Sequence, residues 1–155
     1  PLGFIGEAEQ MDFWLDCEVP LEEVEKHLKN ALPFELVVQK LQVIGNHQPS
    51  LQASLLSSDF EVLLPEEVDT VVLQTKIDSL LAQESLPVQR RKKTVDLKSL
   101  LISTRLVKKE HQSILEVIMK STPLENGRPD ELLEMLGIDA ADCQVVRTKL
   151  TYPEE

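Results

Sequence analysis

The run Gln89-Arg90-Arg91-Lys92-Lys93-Thr94-Val95-Asp96-Leu97-Lys98, four consecutive cations with a fifth close behind, is the one local feature of this sequence with functional content. Residues 90–109 hold eight of the chain's sixteen Lys and Arg, namely Arg90, Arg91, Lys92, Lys93, Lys98, Arg105, Lys108 and Lys109, against the single acid Asp96. That segment carries +7 in a chain of net charge −11, leaving −18 for the remainder, so the charge is segregated along the sequence. Cations on neighbouring strands can face several phosphates of one polyanion and release its counterions. The competing use is a solvated edge strand, where Lys and Arg discourage sheet-to-sheet pairing. Arg128 and Arg147 lie outside the run; each either joins a phosphate-binding face or pairs with one of the many carboxylates.

Other chemistries find little support in the residues. Cys17 and Cys143 are far apart and in no CxxC or CxH spacing, so reduced thiols are expected rather than a disulfide or a zinc site. His27, His47 and His111 are scattered, and no glycine-rich phosphate loop exists. Asp96 between Lys93 and Lys98 reads as a turn cap. The expectation is a chain with no catalytic residue, no metal ligands and no cofactor of its own. Trp14, the only tryptophan, either stacks on a base or a partner or packs under a helix. Paired aromatics on strands are lacking, which argues against an RNA-recognition-motif stacking platform.

The elements that position these residues follow from periodicity. Met11, Phe13, Leu15, Cys17 and Val19 alternate with Asp12, Trp14, Asp16 and Glu18, the pattern of a half-buried strand. Pro20, Glu22 and Glu23 open an amphipathic helix over about 20–32, which Pro33 stops, and residues 34–44 read as a second strand. Residues 46–57 read as a loop with one or two helical turns. A strand at 59–64, a helix at 66–83 and a polar edge strand at 88–95 come next. Strands over 101–107 and 113–120 form a hairpin, Pro129 and Gly137 bracket a helix at 130–136, and 143–151 is the final strand. The expected fold is α+β with an antiparallel sheet and helices on one face. Residues 1–57 read as a partial β-α-β unit, and 58–155 as a ferredoxin-like β-α-β-β-α-β unit with an extra hairpin.

At 155 residues, 42% hydrophobic and 28% charged, the chain has the composition of a folded domain rather than a disordered one. No apolar run reaches membrane-spanning length and no signal core follows Pro1-Leu2-Gly3-Phe4, so a cytoplasmic protein without membrane association is expected.

Several short signatures occur together: Pro1-Leu2-Gly3 with Glu9, Met11 and Asp12; Leu86-Pro87-Val88 followed by Arg91-Lys92-Lys93-Thr94-Val95-Asp96; Arg128-Pro129-Asp130-Glu131-Leu132; and Arg147-Thr148. In these the chain resembles the radical-SAM-linked domain of unknown function, the C-terminal or adjacent partner of cobalamin-binding-type radical SAM proteins. The resemblance implies a radical SAM protein as partner in cis or in trans, and a non-catalytic accessory role, with presentation of ribosomal or transfer RNA as the function considered. The alternative is a docking or structural module that binds no nucleic acid. Members of that family carry a further upstream part with a His-Leu-Asp helix and a Gly-Phe-Asn-Pro-His-Pro loop, absent here. The chain thus resembles a domain cut near its middle, with Phe4, Ile5 and Trp14 exposed for partner binding or self-association. It has no CxxxCxxC, so it cannot hold the cluster of a radical SAM enzyme.

Overall fold

The structure is a computed structural model that describes residues 3–7, 9–45 and 47–153. In chain order the elements are β1 (Phe4–Gly6), α1 (Leu21–Ala31), α2 (Leu51–Ser54), β2 (Ser57–Leu63), α3 (Thr70–Leu81), β3 (Pro87–Arg90), β4 (Lys93–Asp96), α4 (Leu97–Leu100), β5 (Leu101–Lys109), β6 (Gln112–Lys120), α5 (Pro129–Leu136) and β7 (Gln144–Thr151). The fold is α+β. Five strands form one sheet in the order β1-β7-β2-β6-β5, while β3 and β4 form a separate two-stranded sheet.

Within the large sheet, β2, β5, β6 and β7 pair antiparallel and realise the split β-α-β arrangement of a ferredoxin-like unit, with α3 linking β2 to β5 and α5 linking β6 to β7. β1 adds to the outer side of β7 in parallel, so the sheet is mixed rather than wholly antiparallel. Alternation in β2 and β6 sends Phe60, Val62, Leu115, Val117 and Met119 to one face. There they meet Leu73, Ile77 and Leu80 of α3, Leu97 and Leu100 of α4, and Leu132, Leu133 and Leu136 of α5 in one core. Burying each such side chain contributes roughly 2 kcal/mol, and this packing sets the register of the sheet. The opposite phase, Asp59 and Glu61 with Glu116 and Arg105, faces away from the helices.

The N-terminus of α3 is closed locally, and the C-termini of α3 and α5 by side chains from elsewhere in the fold. Asp69 caps α3 by accepting from the amides of Val71 (2.9 Å) and Val72 (3.1 Å). At the other end Lys98 Nζ donates to the Leu81 carbonyl. Pro129 opens α5, Gly137 ends it with a left-handed φ of 75°, and Lys76 Nζ donates to the Leu136 carbonyl at 2.9 Å. A cation at each C-terminus answers both the unpaired carbonyls and the negative end of the helix dipole.

Three expectations need correction. Residues 11–19 and 34–44 form no strand, since nothing among the described residues pairs with either of them. Alternation supplies a buried face only when a neighbouring strand takes up the backbone hydrogen bonds. Residues 88–95 are not one edge strand of the main sheet but a hairpin, Pro87↔Asp96 to Arg90↔Lys93, that turns at Arg91-Lys92. Two compact units result, one of Pro1–Gln10 with Leu51–Glu155, the other of Met11–Ser50. The boundary expected at 57/58 falls inside β2, and the first residues belong with the larger unit through β1.

Candidate nucleic-acid interface

The basic run is divided by the fold into cations that hold the structure and cations that face solvent. Arg90, at the end of β3, donates through Nε to Glu131 Oε1 (2.7 Å) and through Nη2 to Glu131 Oε2 (2.7 Å) and the Asn126 carbonyl (2.8 Å). The side chains of Arg90 and Glu131 are only 17% and 8% exposed. A guanidinium suits this place because its planar fork matches a carboxylate with two parallel bonds and stays charged when partly desolvated. The hydrogen bond that Arg90 donates to Glu131 holds its pKa above the ordinary value, against the opposing effect of burial. Arg90 is therefore committed to the fold rather than available to a phosphate.

Its bonds also place the hairpin tip. By reaching Asn126 and Glu131, Arg90 pins the β3–β4 turn beside the segment that leads into α5, where Arg128 occupies the N-cap position without making a side-chain cap bond. Arg91 and Lys92 form the turn and Lys93 starts β4; all three are exposed, as is Arg128. No hydrogen bond or ion pair engages the side chain of any of the four among the described residues. The hairpin behind them is stiffened by Thr94 Oγ1 donating to Gln89 Oε1 at 2.8 Å across the strands. At its base, Asp96 accepts from the amides of Leu86 (2.7 Å) and Lys98 (3.0 Å). These bonds, that of Leu86 foremost, lower the Asp96 pKa below the usual carboxylate range.

The other sequence candidates serve different ends. On the sheet face away from the helices, Glu61 and Glu116 lie directly opposite one another, a like-charge pair that would destabilise the sheet if left alone. Lys109 lies 2.6 Å from Glu61 and 3.8 Å from Glu116, and Arg105 lies 2.6 Å from Glu116. Arg105 and Lys109 of β5 thus neutralise the two glutamates, and the hydrogen bond to Glu61 raises the Lys109 pKa. Lys98 caps α3, and Lys108 is exposed beside that helix. Arg147 in β7 donates through Nε to Glu9 Oε1 at 2.7 Å and through Nη2 to the other oxygen. A Cβ at Gly6 would stand 2.4 Å from the Glu9 side chain, so a glycine there leaves Glu9 room to lie against β1.

Of the apolar candidates, Phe4 is half-buried, packing edge-on against Phe60 with ring centroids 5.7 Å apart. Ile5 and Trp14 are exposed at 48% and 66%. Phe4 leaves the expected exposed group because alternation in β1 turns it to the helix side of the sheet.

The residues that sequence reading missed are the anionic partners. Glu131 reads locally as a favourable acid in a first helical turn, and Glu9 as part of a surface segment. They are separated from Arg90 and Arg147 by 41 and 138 residues, and only the topology joins them. Two pairs of the short signatures thereby meet in space, the basic run with Arg128-Pro129-Asp130-Glu131-Leu132 and the N-terminal Glu9 with Arg147. No curated protein and no solved structure matches the chain. A family model described as an uncharacterized protein conserved in bacteria (DUF2344) matches residues 1–129, from β1 through the basic hairpin to the threshold of α5, and the chain belongs to that family.

Proposed function

We propose that the tip of the β3–β4 hairpin, Arg91, Lys92 and Lys93 together with Arg128, contacts the phosphates of RNA. In this reading the chain is a non-catalytic, cytoplasmic accessory domain that contributes no cofactor and presents ribosomal or transfer RNA to a radical SAM protein joined in cis or in trans. The radical SAM partner rests on the resemblance of the signatures described above. The RNA contact is carried by one observation: a mostly buried ion pair, Arg90 with Glu131, holds the hairpin tip beside the approach to α5, so that the exposed and unpartnered Arg91, Lys92, Lys93 and Arg128 lie in one region.

Salt dependence tests the contact. Neutralising about four phosphates of a single strand gives a log–log salt slope of roughly −2.8, so a fourfold rise in salt weakens binding about fifty-fold. Replacing Arg91, Lys92, Lys93 and Arg128 together by Glu should abolish binding and leave the melting temperature close to the parent's, because exposed charges contribute little to stability. If that variant binds labelled RNA as the parent does, the assignment fails. Arg90 is kept in the test protein, since its replacement would confound contact with folding.

A second reading, a module that docks another polypeptide, is favoured by the unit Met11–Ser50. It has no buried residue among those described, and it exposes Trp14 (66%), Phe34 (91%), Val37 (79%) and Val43 (84%). Isolated exposed apolar residues are ordinary, but so many in forty residues mark a surface that another polypeptide covers.

A further inference from the structure

β5 is an edge of the five-stranded sheet, and nine residues long. A bulge at Ile102 disrupts its beginning, but Ser103–Lys109 run in unbroken register with β6 and carry no backbone hydrogen bond on their outer side among the described residues. Such an edge is a template for another strand unless something blocks it. Beside it lies an open groove of about 440 Å³ between β5 and α3, walled by Val71, Gln74 and Thr75 on the helix and by Leu106 and Lys108 on the strand. Val71 is 75% exposed there. The two sides of an added strand would thus meet different chemistry. One side would face the groove and Val71; the other would lie beside Arg105 and Lys109, whose side chains are 71% and 51% exposed despite their ion pairs. β5 itself carries three cations, Arg105, Lys108 and Lys109, and no acid.

The segment with the complementary pattern is in the same sequence. Residues 11–19 alternate Met11, Phe13, Leu15, Cys17 and Val19 with Asp12, Trp14, Asp16 and Glu18, contain no cation, and join no strand. Phe13 and Leu15 are 38% and 51% exposed. We propose that residues 11–19 of a second copy of this chain add as a strand to the free edge of β5, with Phe13, Leu15 and Cys17 in the groove against Val71 and Asp12, Asp16 and Glu18 beside Arg105 and Lys109. The backbone bonds supply affinity and the alternate side chains supply register. Exchange in both directions closes a two-fold dimer, in which each copy gives one strand and receives one. This surface is separate from the hairpin tip and does not depend on RNA binding.

The test is complementation between exposed-site variants of the full chain. By sedimentation velocity or light scattering, the parent's mass should rise at least to twice that of one chain with concentration and fall on dilution. Phe13→Asp on the giving segment and Val71→Asp on the receiving groove should each abolish self-association. Mixed together they should associate again, because one retains a competent edge and the other a competent strand; the double variant should rescue neither. Restored association also shows that both single variants are folded. A parent that stays monomeric at all concentrations overturns the proposal, including a monomer whose Trp14 fluorescence is shielded, which would place the segment within its own chain. Association that persists in both single variants, or that mixing fails to restore, overturns it equally.

Discussion

Two carboxylates in this protein act at a distance from their own secondary structure, and each gives a measurable expectation. Glu131 neutralises Arg90 in a site where both side chains are largely shielded from water. Removing one partner of such a pair leaves a desolvated charge. Glu131→Ala should therefore lower stability by on the order of 3 kcal/mol, read as a fall in urea midpoint without a change in slope, whereas Glu25→Ala, which removes a solvent-accessible ion pair with Lys29 on α1, should cost far less. Asp96 has its pKa depressed by the amides it accepts from, chiefly that of Leu86. A depressed carboxylate contributes stability that is present above its unfolded pKa and lost as pH falls through the folded value. Acidification from about pH 5 to about pH 2 should remove that contribution. Asp96→Asn should flatten this part of the stability-versus-pH curve and lower stability near neutrality, as thermal melts across that range would show.

The β3–β4 hairpin is a basic loop made stiff from outside itself. A two-stranded hairpin alone is marginal in water, but Arg90 ties one end of this one to the α5 approach and Asp96 ties the other to Leu86. Its exposed cations are thus held in place rather than on a mobile arm, which lowers the ordering cost of any polyanion contact. The end of α5 depends on a different device. Gly137 takes φ 75°, and a Cβ added there would lie 3.3 Å from Lys76 Nζ, the group that caps the Leu136 carbonyl. Gly137→Ala should destabilise by about 1 kcal/mol, because an L side chain is strained in the left-handed region. Gly45→Ala, where added atoms meet open space and no positive φ is required, serves as the matched control in the same denaturation series.

Across the whole molecule stability is unevenly distributed. The larger unit holds every buried apolar residue of the core, while no described residue of Met11–Ser50 is buried. Local opening free energy follows buried apolar contact. Hydrogen exchange read by mass spectrometry should find β2 and β6 protected longest, and α1 and its flanks exchanged orders of magnitude sooner. If residues 11–19 add to β5 of a second copy, their protection should rise with protein concentration while that of α1 changes little. Uniform protection across residues 11–50 and the sheet at low concentration would contradict this division. No helix among the described residues is long and apolar enough to cross a membrane.

Local rules wrote much of this structure legibly into the chain. Alternation marked β2, Pro129 and Gly137 bracketed α5, Asp96 stood where a cap was needed, and the order of the elements implied the ferredoxin-like sheet. Each of these depends on contacts within a few residues or on a single periodic face, which a sequence displays directly. Residues 11–19 show where that reasoning stops: their alternation is as clear as that of β2, yet a strand also needs a neighbour for its backbone groups, and alternation does not name one. The basic run shows the same limit in electrostatics. Composition located the cations, but whether Arg90 and Arg147 would be free or bound depended on carboxylates 41 and 138 residues away. Chain topology decides which distant charges come within a few ångströms, so the tertiary structure alone separated Arg90 and Arg147, which hold the fold, from Arg91, Lys92 and Lys93 at the hairpin tip, which face solvent.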